Sequence, residues 1–505
     1  MTILESQDFA FNPNPLVQFL QKPAKDFTKS DLIKYIAAKS IRMINFRYIG
    51  GDGKLKTLNF VITGRDHLDS LLSCGERVDG SSLFSFIDAK SSDLYVVPRY
   101  KTAFHNPFSD IPTLDILCAY FDKEGNPLAS APENVMMNAH KNLQKSTGYS
   151  LDVMGELEYY VISEKKEFYP AMDQRGYHES EPFAKFEQIR RECMDAIAQA
   201  GGLIKYAHSE VGNFTSEDDM YYEQNEIEFN PTNIEDAADQ LTIAKWIIRM
   251  VGNRHGVNIS FAPKITVGKA GSGLHIHMKL HKNGKTATIE NGMLSDNARK
   301  AIAGILDLAP ALTAFGNTNP TSYLRLVPHQ EAPTSICWGD RNRSVLIRVP
   351  LGWVGVSDMI KKANPNYDEE LKDFSDRQTF EFRCPDGSAN IHLLLAGLVV
   401  GVKHGLTMEN ALENAKKLYV DVNIFLEEHR EKLDQLDALP LSCYESAESL
   451  LELRAHFEKD GIFSPVLIDG IARSLMAYDD KGLSEKLYGK NYEIKKLVNK
   501  YLHQM

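Results

Sequence analysis

Four short segments of the chain pair charged residues at positions i and i+2 inside otherwise apolar runs. Glu156 and Glu158 lie in "MGELEYYVI", Glu226 and Glu228 in "QNEIEFNP", His275 and His277 in "GSGLHIHMKL", and Glu381 and Arg383 in "TFEFRCPDG". In an extended strand such positions share a face, so each segment reads as a strand with one charged face. A single face of this kind is ordinarily solvated. Four of them build a wall that repels itself unless cations or anionic substrates compensate it. Carboxylate-rich ligation suits Mg2+ or Mn2+, and Mn2+ tolerates an imidazole.

Arginines arrive in one stretch, "SYLRLVPHQEAPTSICWGDRNRSVLIRVP", where Arg325, Arg341, Arg343 and Arg348 are interleaved with prolines and apolar residues. Guanidinium forks match carboxylate and phosphate bidentately. Divalent ions beside arginines are what phosphoryl transfer requires, because both neutralise developing charge. No G-x-x-x-x-G-K-[ST] segment occurs, so a nucleotide site here is not a P-loop. "ERVDGSSLFSF", Glu76 to Phe86, is a turn signature that alone reads as a loop.

The net charge of −11 argues against a nucleic-acid or anionic-membrane partner, and no apolar run approaches a membrane span. Six scattered cysteines without a C-x-x-C pair, and an N-terminus without a signal-peptide pattern, read as a reduced, cytoplasmic protein. After an irregular Asn/Pro-rich arm, "TKSDLIKYIAAKSI" predicts a capped helix and "RMINFRYIGGDGKLKTLNFVIT" a hairpin. With "SDLYVVPRY" and "TLDILCAYFD" they make a compact, mostly β module. Its boundary is expected near residue 122, giving domains over 14–121 and 122–505. Beyond it strands alternate with helices, expected at 183–200 and 235–253, and from about 405 the pattern is helical. The fold class expected is α+β with a helical C-terminal region.

Taken together in order, "VDGSSL", "GELEYYV", "HSEV", "QNEI", "GSGLHIH", "LRLVPHQEAP…RNRSVLIRVP" and "FEFRCPD" resemble the glutamine synthetase family, in its class I, bacterial-type form. The resemblance spans about residues 75 to 390. It implies a small N-terminal β-grasp domain and a large catalytic domain with an antiparallel sheet and surrounding helices. It also implies homo-oligomeric rings, typically dodecamers, with active sites between subunits. The implied activity is ATP-dependent ligation of ammonia to L-glutamate through a γ-glutamyl phosphate, with two or more Mg2+ or Mn2+ ions.

By position, the resemblance assigns Glu158, Glu210 and Glu226 to a first metal, and Glu156, His275 and Glu381 to a second. His277, Arg343 and Arg348 would serve the nucleotide phosphates and the transferring phosphoryl group. Arg325, Arg383 and the backbone of Gly271 would grip glutamate. Asp79 and Ser82 from a neighbouring subunit, with Tyr177, Glu210 and the nearby Asp93, would take ammonium. Glu331 would sit on a flap that closes over the intermediate.

The chain departs from the family pattern at Ala270, Lys205 and Lys279, and through about twenty extra residues near 357–376. These departures fall around nucleotide and regulation, and Arg377 or Lys372 could replace a displaced basic segment. Two other readings stay open: a γ-glutamyl ligase for a larger amine, and a non-catalytic structural homologue.

Overall fold

A computed structural model describes residues 9–87, 92–166, 168–327 and 332–504. Glu331 and the first eight residues of the N-terminal arm lie outside them. The predicted capped helix runs Lys29–Ala38, and of the two candidate caps, Thr28 and Ser30, Thr28 holds it, in a capping box with Asp31. The hairpin pairs Met43–Ile49 with Leu55–Val61. It joins a six-stranded sheet in which Met43–Ile49 also runs parallel to Thr113–Phe121. Asp93–Pro98 and Glu76–Asp79 close its far edge. The module is less purely β than its pattern suggests, because Pro15–Leu20 and Arg65–Cys74 are helices packed on the same core.

A ten-stranded sheet forms the catalytic body. Its main path runs Trp338–Asp340, Ile347–Val349, Phe380–Phe382, Leu274–Lys282, Tyr149–Glu164, Met220–Phe229 and Ile204–Thr215. Every pairing along it is antiparallel except the first. The two helices expected from 183 and 235 run Glu187–Gln199 and Ile234–Arg254. C-terminal helices such as Cys443–Glu452, Pro465–Met476 and Asn491–Tyr501 complete the α+β architecture.

Two long helices, Asp296–Gly316 and Ile391–Thr407, form the heart of the larger core. Ile391–Thr407 lacks the one-sided apolar periodicity by which a helix is read from sequence, since it is apolar on nearly every face. Glycines let them touch. A Cβ on Gly304 would lie 2.2 Å from the Gly405 nitrogen and 2.3 Å from the Gly401 oxygen. Among the described residues no single helix is long and apolar enough to cross a membrane.

The β module is fastened to the catalytic body by a buried ion pair. Arg99 donates two hydrogen bonds to Asp239, at 2.8 and 2.9 Å, and His392 Nε2 lies 3.1 Å from the same carboxylate. Burial opposes the charge on Asp239, but Arg99 and His392 outweigh it and hold the carboxyl well below the usual range. A second link, Lys101 to Asp236 at 2.7 Å, is partly exposed on both sides. Asp239→Asn should therefore cost about 3–5 kcal/mol, because Arg99 is left as an uncompensated buried charge. Lys101→Ala should cost at most about 1 kcal/mol. Urea denaturation of the two variants checks this, and equal midpoints would rule out Arg99–Asp239 as the stronger fastening.

Candidate active site

Strand register assembles the site. Glu156 stands opposite His275 on one side and Glu228 on the other, and Glu158 stands opposite Glu226. Glu226 in turn faces His208, and Glu228 faces Tyr206. On the far flank Glu381 is paired with both His277 and Arg348. Since i and i+2 share a face, these residues line one wall of a cavity of about 800 Å³.

Both histidines of "LHIH" converge on one carboxylate. His275 Nδ1 lies 2.7 Å from Glu156 Oε2, and His277 Nε2 lies 2.8 Å from Glu156 Oε1. His275 is also 3.4 Å from Glu381 and 3.9 Å from Glu158. Glu156, His275 and Glu381 place ligand atoms within 4.8 Å of one another, a spacing that could hold a metal ion. A second group of the same kind is His208, Glu210 and Glu226. Glu158 stands beside it, accepting from the Gly273 amide at 2.7 Å and from Gln224 Nε2 at 3.1 Å.

The electrostatics fit a cation. Burial, then the neighbouring Glu156, Glu158, Glu210 and Glu228, push the Glu226 carboxyl well above its ordinary range. Burial opposes charge on Glu156 too, but His277 and His275 outweigh it and hold that carboxyl well down. Four carboxylates crowding Glu226 are relieved when a divalent ion replaces the proton, and the donors are the oxygen-rich, single-imidazole sets that suit Mg2+ or Mn2+.

The arginines close the opposite flank. Arg383 Nε donates to Glu381 at 3.0 Å and its Nη1 to the Arg343 carbonyl. Arg348 Nη1 donates to Glu381 at 3.2 Å. Arg325 is held by the carbonyls of Cys384, Pro385 and Arg383. Arg343 also lines the cavity and has no ion-pair partner among the described residues. Gly271 belongs at its position for want of space: a Cβ there would meet the Pro263 oxygen at 2.5 Å and Arg325 Cγ at 3.0 Å. Beside it, Ala270 donates its amide to Gln174 Oε1 at 2.7 Å and accepts from the Tyr160 hydroxyl at 2.8 Å.

Tyr177 and Glu210 line the cavity; Asp79, Ser82 and Asp93 do not. The latter three sit at the edge of the N-terminal sheet, where Asp79 is paired with Asp93. Hydrogen bonds from the Ser81 and Ser82 hydroxyls hold the exposed Asp79 carboxyl down to about 2.

Two other departures from the family pattern, Lys205 and Lys279, also line the cavity. Lys205 Nζ is 2.6 Å from Glu228, and Lys279 lies 3.6 Å from Asp376 of the extra segment. Arg377 lies over the rings of Phe374 and Trp353, at 4.5 and 5.6 Å. Arg377 and Trp353 line the cavity; Lys372 is exposed and is not among its lining residues.

Sequence reasoning assigned no role to His208, Gln224, Thr379 or Trp353. His208 and Glu210 do carry the i, i+2 spacing that marked the other strands, within a strand whose register shifts between Ser209 and Asn213. Gln224 donates to Glu158, Gly271 and Ser272 and has no charge to betray it.

Comparison with known proteins agrees with this geometry. Residues 129–474 match the glutamine synthetase catalytic domain and residues 40–123 the glutamine synthetase β-grasp domain. A glutamine synthetase from Clostridium saccharobutylicum is 28% identical over 485 residues, covering 94% of this chain and 99% of that one. The Plasmodium falciparum glutamine synthetase structure superposes with a TM-score of 0.73 at 19% identity, over 93% of this chain and 98% of the other. Apo GmaS superposes with a TM-score of 0.71 at 18% identity, over 90% and 97% of the two chains, and shares the fold. With both domain models matched over most of its length, the chain belongs to the glutamine synthetase family.

Proposed function

We propose that this chain ligates ammonia to L-glutamate using ATP, giving L-glutamine through a γ-glutamyl phosphate. The meeting of a carboxylate–imidazole wall with five arginines in one cavity carries the reading. Phosphoryl transfer depends on positioning and charge neutralisation, and these residue types supply both.

Glu156, His275 and Glu381 would hold one Mg2+ or Mn2+ ion, and Glu210 and Glu226, with Glu158 or His208, another. Bound there, the ions supply positive charge beside the phosphates and beside glutamate. Arg325 and Arg383 would fix the glutamate carboxylates by bidentate hydrogen bonds, with the backbone of Gly271 close enough to join them. A γ-carboxylate oxygen then attacks the terminal phosphorus of ATP, ADP leaves, and Arg343 and Arg348 stabilise the phosphoryl oxygens. His277 would contact the nucleotide phosphates. Trp353, beside Arg377, would offer a ring face for the base, and Lys205 and Lys279 line the same cavity.

Ammonium would be captured between Tyr177 and Glu210 and the Asp79, Ser82 and Asp93 edge of a neighbouring copy, where Asp79 stays anionic. After it loses a proton, its nitrogen attacks the acyl carbon and phosphate leaves. Glu331, on the flap, would exclude water from the intermediate. The reading includes a cytoplasmic homo-oligomer, a dodecamer of two rings, with sites shared between subunits. A larger amine is the second reading. It is favoured by the row of rings beside Glu210, where Tyr177 and His178, and His178 and His208, lie as tilted pairs with centroids 4.3 Å apart.

Glutamine and phosphate should form from glutamate, ATP and ammonium, and Glu331→Ala should abolish glutamine formation. Faster phosphate release with methylamine, ethanolamine or putrescine would transfer the assignment to the second reading. Arg343→Lys should lower kcat by about 10²–10³ with little change in the KM for glutamate.

Trp353→Ala should raise the KM for ATP by roughly five- to a hundredfold, the worth of one base–ring stack, and leave the KM for glutamate alone. An unchanged KM for ATP would remove Trp353 from the nucleotide site.

Mn2+ at a hundredfold excess over its Kd should stabilise the folded protein by about 2.7 kcal/mol per site. That gain should shrink as pH falls from 8 to 5, because protons compete for carboxylates and imidazoles. Glu226, whose carboxyl is raised, should begin to lose the ion above the ordinary glutamate range. Differential scanning calorimetry with and without Mn2+ reads both effects, and a pH-independent gain would contradict ligation by this wall.

A further inference from the structure

The turn of the N-terminal hairpin meets the catalytic body among cations. A Cβ on Gly53 would lie 3.2 Å from Asn390 Cα and 3.5 Å from its Cγ, so the turn rests against the start of the helix Ile391–Thr407. Asn390 caps that helix through Oδ1, which accepts from the Leu393 amide at 3.3 Å. With Oδ1 given to the helix, Nδ2 is left for the side on which Gly53 and Lys54 lie. Asn390 is 8% exposed, and its Nδ2 is buried without a hydrogen-bond partner. Native proteins seldom leave a buried amide in that condition.

Lys54 is half-buried, and its ammonium makes no hydrogen bond or ion pair among the described residues. Lys245, on the helix Ile234–Arg254, is 7% exposed. Its one hydrogen bond among the described residues goes to the Gly387 carbonyl at 2.6 Å, three residues before Asn390. An ammonium has three donors, so Lys245 keeps the others for a ligand. Arg249, one turn further along that helix, shares the Phe261 ring with Lys245, at 4.9 and 5.6 Å. Burial, then Arg249 and Lys54, push the Lys245 ammonium down to about 7 against the pull of Asp386. The nearby carboxylates are already engaged. Asp386 accepts from Asn317 at 2.8 Å and from the Ser388 amide at 2.9 Å, and Asp52 pairs with Lys56 at 2.7 Å.

The geometry points to an oxyanion site between the N-terminal module and the catalytic body, where Lys54, Lys245 and the Asn390 amide bind a phosphate-type dianion. The start of a long helix favours negative charge there. Lysines act as point charges that take a tetrahedral phosphate from several directions, whereas a carboxylate is best matched by a planar guanidinium fork. The anion would join a turn of one domain to a helix of the other. None of these residues lines the central cavity, so the inference stands apart from the ligase reading.

Isothermal titration of the full chain with inorganic phosphate, in chloride buffer of matched ionic strength and without nucleotide, tests the site. The central cavity offers phosphate its own arginines, so the variants carry the test. The unaltered protein should show a phosphate-binding event that Lys54→Met weakens roughly tenfold or more, the worth of one hydrogen bond to a charged group. Asn390→Asp keeps the helix cap and sets a carboxylate among the cations. It should raise the Tm in chloride alone and abolish that binding event. Lys54 is half-buried on a turn, so Lys54→Met leaves a folded chain to measure even where Asn390→Asp does not. Glycerol 3-phosphate as a second probe separates the free anion from a phosphate ester, the tighter of the two naming the source. Identical phosphate binding by the unaltered protein, Lys54→Met and Asn390→Asp would overturn the site. Succinate bound more tightly than phosphate, and lost in Lys54→Met, would overturn the phosphate class.

Discussion

The active site depends on the pairing register of five antiparallel strands. Each contributes polar residues two apart, and backbone hydrogen bonding fixes which of them meet across the sheet. A slip of one residue in the Leu274–Lys282 strand would send His275 and His277 to the opposite face and put Leu274, Ile276 and Met278 in the cavity. These three are fully buried on the core side. The hydrophobic core thus holds the histidines in place: the apolar residues between the charged ones select the register, and the charged ones follow.

Such a wall stores electrostatic tension. Glu226 is crowded by four carboxylates and favours its proton, while Glu156, two imidazoles beside it, stays ionised. Neighbouring positions on one sheet are thereby biased in opposite directions. Burial, ordinarily a reason to exclude charge, here makes the wall receptive to ions, because no water competes for the carboxylate oxygens. Arg348 and Arg383 on Glu381, and Lys205 on Glu228, partly compensate the wall at its margins and leave its centre anionic.

The i, i+2 alternation made the wall legible in the sequence, because strand geometry turns that spacing into a shared face. Thr28 and its helix were legible for the same local reason. The long central helix Ile391–Thr407 was not, since it is buried on nearly all sides and offers no polar stripe to phase it. His208 was obscured by the irregular register around Ser209, and Gln224 by its neutrality. Trp353 follows Pro350 in a segment without regular structure, where no periodicity links sequence to direction. Asp79, Ser82 and Asp93 carry a recognisable motif yet do not line the cavity of their own chain, and the use proposed for them requires a second copy, which no local pattern encodes.

The cavity is lined partly by strands and partly by chain outside them, and the two evolve under different rules. On the sheet, an insertion or deletion inside a strand inverts every side chain beyond it, so that half can change only by substitution at fixed positions. Trp353, Phe374 and Arg377 lie outside the strands, the last in the short 3-10 helix Ser375–Arg377, where length can vary without disturbing any pairing. A lineage could therefore remodel the end of the cavity near Lys205 and Lys279 by lengthening one loop, while the chemistry on the wall stays frozen.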